Sequence, residues 1–257
     1  MALLELSGVS QSFSGLRALH DVSFSVAEHQ IVGLIGPNGA GKSTLINCVS
    51  NLYRPERGSI RFNGQELIGR STPEVAAMGI RRTFQNLELF REVSVRENVT
   101  LGLVYRYRAG IVADFLNLPS ARARRREADA EAAGIIERLG LNDVADVRVS
   151  ELSYGLQKTV EMARALAGRP KLMLLDEPAA GMNPEESRRV ASTVRRLRDE
   201  NGISILLVEH DMRVVMSACD HIVVLDHGEK IAEGTPAEIR SSPAVIKAYL
   251  GEEDDHA

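Results

Sequence analysis

Gly36-Pro37-Asn38-Gly39-Ala40-Gly41-Lys42-Ser43-Thr44 decides how the rest of the chain is read. Its spacing matches G-x-x-x-x-G-K-[ST], a loop whose glycines let backbone N–H groups turn onto phosphate oxygens. Just before it, Ile31-Val32-Gly33-Leu34-Ile35 is a short apolar run fit for a buried strand, and just after it Ser43 to Val49 can begin a helix. An ordinary glycine-rich turn needs neither flank. Strand, loop and helix N-terminus together favour a nucleotide, with Lys42 neutralising the outer phosphates and the Ser43 hydroxyl able to ligate Mg2+.

The 257 residues, 44% hydrophobic and 26% charged, suit a globular protein with a sizeable core. No run approaches the roughly 20 apolar residues that span a bilayer, and the opening residues, with Glu5 and no basic start, do not resemble a signal peptide. A cytoplasmic location is therefore expected. A net charge of -4 gives no reason to expect a nucleic-acid partner. Cys48 and Cys219 lie in apolar, helix-like patterns without CxxC spacing or neighbouring histidines, so they read as buried free thiols.

Leu3 to Val9 and Val22 to Val26 nearly alternate, the pattern of antiparallel strands, and Phe13 falls in the turn region between them. Ser59 to Phe62 followed by Asn63-Gly64 reads as a strand entering a tight hairpin. A short helix is expected over Pro73 to Met78 and a strand over Ile80 to Phe84. The connection Asn86 to Glu92 then carries the apolar Leu87, Leu89 and Phe90, which hint at a docking surface. Between Val93 and Leu141 the reading is helical, broken at Leu118-Pro119. The run Ala121 to Glu131, with Arg122, Arg124, Arg125 and Arg126 followed by Glu127, Asp129 and Glu131, favours a solvated helix face over a phosphate- or lipid-binding patch. After Ser150, Lys171 to Asp176 and Ile203 to Val208 are near-continuous apolar runs, the mark of parallel strands buried on both sides. The helix between them starts at Asn183-Pro184-Glu185-Glu186 and has Val190, Val194 and Leu197 as its buried stripe.

A phosphate-loop protein needs a carboxylate at a neighbouring strand end, and Asp176-Glu177 supplies two. Asp176 is the metal-side candidate. Glu177, one residue on, is the candidate general base for an attacking water. Gln85 and His210 follow two further expected strands, at the edge where strand ends converge on a nucleotide.

This ordered set resembles the nucleotide-binding subunit of ABC transporters over nearly the whole chain. Gly36 to Thr44 is the phosphate loop, Gln85 stands in the place of the Q-loop glutamine and Leu152-Ser153-Tyr154-Gly155 in that of the LSGGQ signature. Leu172 to Glu177 matches Walker B, Ala180 to Asn183 the D-loop, and His210 the switch histidine. The fifth signature position is Leu156 with Gln157 next, and the D-loop ends in Asn183 where many members have Asp. More narrowly the chain is similar to the LivG-type ATPases of branched-chain amino acid importers. That likeness lies in Phe13 to Leu19, Arg82 to Asn86, Ala179 to Pro184, the long insert after Leu101, and the tail from Glu233-Gly234-Thr235-Pro236 to Val245–Gly251.

The resemblance implies an α/β fold of the ABC-type P-loop NTPase: a parallel-sheet core, an antiparallel β subdomain and an inserted helical subdomain. It implies one ATPase domain over residues 1–250, with the helical part at about 92–166 and an acidic tail at 251–257. ATP and Mg2+ would be bound by Phe13 stacking on adenine, by Gly36, Asn38, Gly39, Gly41, Lys42, Ser43 and Thr44 around the phosphates, and by Ser43, Gln85 and Asp176 at the metal. Glu177, His210 and Gln85 would serve catalysis. Ser153 and Gly155 would close over the nucleotide of a second ABC ATPase in a head-to-tail dimer, that partner being a LivF-like paralogue. Two transmembrane permeases and, indirectly, an extracytoplasmic solute-binding protein complete the implied assembly on the inner face of the cell membrane. An exporter ATPase of the lipopolysaccharide or lipid type, and a soluble ABC protein acting on nucleic acid, are the competing readings. The insert and tail argue against the first, and a single acidic cassette against the second.

Overall fold

The computed structural model of the chain describes residues 2–83, 87–104 and 119–250. Two compact units emerge, one formed by the stretches up to Arg82 and from Lys171 onward, the other by Thr83–Pro170.

In the first unit, strands β1 (Ala2–Phe13) and β2 (Leu16–Ala27) pair antiparallel and are longer than their sequence pattern predicts. Register shifts between Leu6 and Val9 and between Val9 and Gln11 break the period-two alternation that would have revealed the full length. The turn itself is Ser14-Gly15, both at positive φ, so Phe13 is the last strand residue, opposite Leu16, and not part of the turn. Then come β3 (Ile31–Ile35), the phosphate loop, α1 (Lys42–Val49), β4 (Arg57–Phe62) and β5 (Gln65–Glu66). Asn63 and Gly64 sit at φ 49° and 74°, the geometry an Asn-Gly hairpin demands. Because β4 pairs with β1, the four-stranded sheet runs β2-β1-β4-β5. Helix α2 (Thr72–Ala77), started by a Ser71/Glu74 capping box, leads into β6 (Ile80–Arg82); Phe84, the expected end of that strand, lies outside the described residues.

The second unit holds α3 (Val95–Leu103), α4 (Pro119–Arg138) and α5 (Tyr154–Ala167). Residues 122–127 of α4 are exposed, while Ala128, Ala132, Ile135 and Ile136 are buried. Between α3 and α5 the backbones approach closely at Gly102, where a Cβ would lie 2.4 Å from the Arg164 carbonyl oxygen.

Past Lys171 the first unit resumes with β7 (Leu172–Asp176), α6 (Pro184–Asn201), β8 (Ser204–Val208), α7 (Met212–Ala218), β9 (His221–Asp226), β10 (Glu229–Gly234), α8 (Pro236–Arg240) and α9 (Pro243–Leu250). The six-stranded sheet runs β10-β9-β3-β8-β7-β6, parallel except for the β9–β10 hairpin. All five residues of β3, β7 and β8 are buried, which explains why each reads as a continuous apolar run. Alternate side chains, among them Val32, Leu34, Leu174, Leu206 and Leu225, form one core with Leu45, Ile46 and Val49 of α1 and with Leu4, Leu6 and Phe62 of the other sheet. Helix α6 buries the stripe Val190, Val194 and Leu197, each worth about 1.5–3 kcal/mol of transfer free energy. It begins where Asn183 accepts the N–H groups of Glu185 and Glu186 while Glu186 accepts that of Asn183. Cys219 falls just past α7 and so is not helical, though both cysteines are buried and free as expected.

Candidate nucleotide site

Because β3, β7 and β8 run parallel, their carboxyl ends lie along one edge of the sheet, and each is followed by a polar segment: Gly36 onward, Glu177, and Glu209-His210. At Gly36 (φ 150°) a Cβ would sit 2.1 Å from the Leu225 carbonyl oxygen, and at Gly41 (φ 99°) 2.5 Å from that of Ala18. Any side chain at either place would push the loop off β9 or β2. The β9–β10 turn also supports the loop, since the Gly228 N–H donates to the Ala40 carbonyl at 3.1 Å. Gly41 caps α1, so the first N–H groups of that helix open towards the loop. The Lys42 ammonium is buried against the loop and donates to the carbonyls of Gly36 (2.6 Å) and Pro37 (2.7 Å). Asn38, Gly39 and Ser43 are exposed and Thr44 half-buried.

Asp176, at the last position of β7, is buried and paired with Arg82, Nη2 to Oδ2 at 3.0 Å. The same guanidinium donates through Nη1 to Asn47 Oδ1 (2.7 Å) and Ser50 Oγ (3.1 Å) of the α1 region, tying β6, β7 and α1 together. Glu177 has φ 48°, a left-handed conformation costly for a side chain of this kind, and its N–H donates to the Val208 carbonyl at 2.9 Å. His210 is exposed, with Nδ1 3.9 Å from Glu177 Oε1, beyond direct hydrogen bonding but close enough for one small group to touch both. Glu209, beside it, is fully buried. Phe13, partly exposed at the end of β1, meets the ring of Tyr53 edge-on, with centroids 5.2 Å apart.

The first unit thus brings together Gly36 to Thr44, Asp176, Glu177 and His210. Ser153 and Gly155 belong to the other unit, where Ser153 caps α5. Gln157, displaced by one position from the usual glutamine, donates to the Leu152 carbonyl at 2.8 Å within its own helix start. Gln85 lies outside the described residues. Sequence reasoning missed Arg82, Glu209, Tyr53 and the Gly228 turn. A charge immediately after an apolar run was the available signal for Glu209, and a cation ending a short strand was that for Arg82.

Among the described residues no group of three or more His, Cys, Asp and Glu could hold a metal. A cation here would draw its oxygens from Ser43, Asp176 and phosphate, which suits Mg2+, an ion that takes few protein ligands and shares phosphate oxygens.

Parallel strand ends converging on a glycine loop with a buried lysine define a P-loop nucleotide hydrolase. Residues 19–180 match the family model described as "ABC transporter", and residues 229–255 match "Branched-chain amino acid ATP-binding cassette transporter". The chain is 43% identical to the high-affinity branched-chain amino acid transport ATP-binding protein BraF of Pseudomonas aeruginosa, and 42% to LivG of Escherichia coli, covering 97% of this chain and 98% of each relative. A solved ATP-binding cassette of an ABC transporter in its ADP conformation superposes with a TM-score of 0.85 at 32% identity, over 98% of this chain and 99% of that one. Another, a dimeric post-hydrolysis cassette bound to ADP and Pi, gives 0.75 at 26% identity, over 91% and 98%. The chain belongs to the ABC transporter ATPases, in their branched-chain amino acid ATP-binding cassette branch. It is a nucleotide-binding ATPase subunit of a transporter, and among its described residues no helix is long and apolar enough to cross a membrane.

Proposed function

We propose that this subunit powers uptake of branched-chain or chemically related amino acids. The observation that carries the cargo is the match over residues 229–255 to a branched-chain amino acid cassette, which lies outside the 19–180 stretch matched under the general description "ABC transporter". In this reading residues 1–250 work as one ATPase domain with a helical part at about 92–166, ahead of the acidic tail 251–257. Phe13 stacks on adenine, and Gly36, Asn38, Gly39, Gly41, Lys42 and Thr44 hold the phosphates. Ser43, Asp176 and Gln85 would hold Mg2+, whose charge would offset that of the phosphates. Glu177 takes the proton of the attacking water as the γ-phosphate leaves ADP, while His210 and Gln85 orient the reacting groups. The 3.9 Å between His210 and Glu177 supports their sharing that task.

Ser153 and Gly155 at the start of α5 present N–H groups to the nucleotide of a partner ATPase, a LivF-like paralogue, in a head-to-tail dimer. Two permeases and a solute-binding protein outside the membrane complete the assembly, placing this chain on the inner membrane face; nucleic acid has no part in it. Membranes reconstituted with the permeases that co-purify with this chain test the cargo. Leucine-loaded binding protein should stimulate ATP hydrolysis and leucine should accumulate inside. Stimulation by urea or a short amide instead would refute the cargo, and ATP-driven lipid extraction would refute import.

A further inference from the structure

Glu209 ends the apolar run of β8 with no exposed surface, a position where a carboxylate is costly unless it is hydrogen-bonded. Its Oε1 accepts the Ala179 N–H at 2.7 Å, and its Oε2 those of His210 at 3.1 Å and Asp211 at 3.3 Å. One side chain therefore bridges the loop carrying Glu177 and the loop carrying His210, at backbone atoms two residues and none away from them. The backbone ties at that point, the end of the β7–β8 ladder and the Glu177 N–H on the Val208 carbonyl, lie upstream of Ala179 and of His210. The positive φ of Glu177 raises the need for such a tie, because a sparsely populated backbone state persists only where its surroundings over-determine it. None of the groups Glu209 holds belongs to the phosphate loop.

Resting on the roles assigned above to Glu177 and His210, we propose that Glu209 is a positioning residue whose carboxylate sets the separation of those two side chains, and with it the rate of hydrolysis, without acting on nucleotide affinity. An amide in its place keeps the volume, but one end becomes an NH2 facing an N–H donor, so one side of the bridge is lost whichever way it turns.

The test uses the transporter purified from its own membranes through a tagged copy of this chain. Glu209→Gln should lower kcat about 10- to 100-fold, with the Kd of a fluorescent ATP analogue unchanged. Glu209→Asp, which keeps the charge but is one methylene short, should show the same split and carries the test if the amide variant does not assemble. Added to His210→Ala, Glu209→Gln should slow the enzyme by less than the product of the two single losses, because one of the two groups whose separation it sets is already gone. A wild-type kcat in either Glu209 variant, a loss of nucleotide affinity matching the loss of kcat, or losses that multiply in the double variant would each overturn the proposal. Wild-type rates in both Glu177→Gln and His210→Ala would instead overturn the site assignment on which it rests.

Discussion

Arg82 and Asp176 face each other with 11% and 6% of their side chains exposed, and a pair so buried is held less by its own attraction than by the cost of separating it. Replacing Arg82 by Met leaves the carboxylate without its cation. The expected loss is about 3–5 kcal/mol of stability, read as a fall in Tm without nucleotide. If Asp176 holds Mg2+, saturating Mg-ATP should restore part of that loss and ATP with EDTA should not; equal restoration by both would remove Asp176 from the metal. At Glu177 the exchange for Gln should leave ATP binding intact and slow hydrolysis by about 10²- to 10⁴-fold, the usual worth of a positioned base. Turnover at the wild-type rate would take that role from it. The strand-end positions of Asp176, Glu177 and His210 were legible because each stands within two residues of the end of an apolar run. Arg82 was not, since its partner lies 94 residues away and nothing local records the pairing. Glu209 hid for a related reason, its burial resting on an N–H group 30 residues distant.

Elements were legible in proportion to how far one face decided their composition. Helix α6 announced its own start, through Asn183, Pro184 and two glutamates, and β3, β7 and β8 their burial on both faces. Strands β1 and β2 were read short because bulges spoil alternation, and β9–β10 went unread because a hairpin closed by His227-Gly228 lacks the Asn-Gly signature that exposed β4–β5. Helix α3 rests on α5 at Gly102, and Gly102→Val tests how much that approach matters. With the new Cβ 2.4 Å from a backbone oxygen neither helix can stay where it is, so destabilisation of at least about 1–3 kcal/mol and a Tm lower by several degrees are expected. An unchanged Tm would mean that the two helices are not held together there.

At the scale of the molecule the proposed pairing makes one mutation act at a distance. Ser153→Arg should impair hydrolysis on the phosphate loop of the other subunit and spare nucleotide binding on its own. Mixed dimers carrying the change on one side only will separate the two effects, and loss of ATP binding at the mutated chain's own loop would refute head-to-tail pairing. Cargo is legible only through likeness, because no residue that touches ATP needs to differ between one transported molecule and another.

The order of strands in the six-stranded sheet also governs how the chain is made. Strands β3 and β6 are both translated within the first stretch, yet β7 and β8 stand between them and β9 stands on the far side of β3. All three leave the ribosome only after the whole of Thr83–Pro170. Throughout that interval five apolar residues, Ile31–Ile35, are without either of their sheet neighbours, the condition under which nascent chains aggregate or recruit chaperones. The strand that leads into the phosphate loop is thus made before Thr83–Pro170, and both strands that flank it in the sheet are made after.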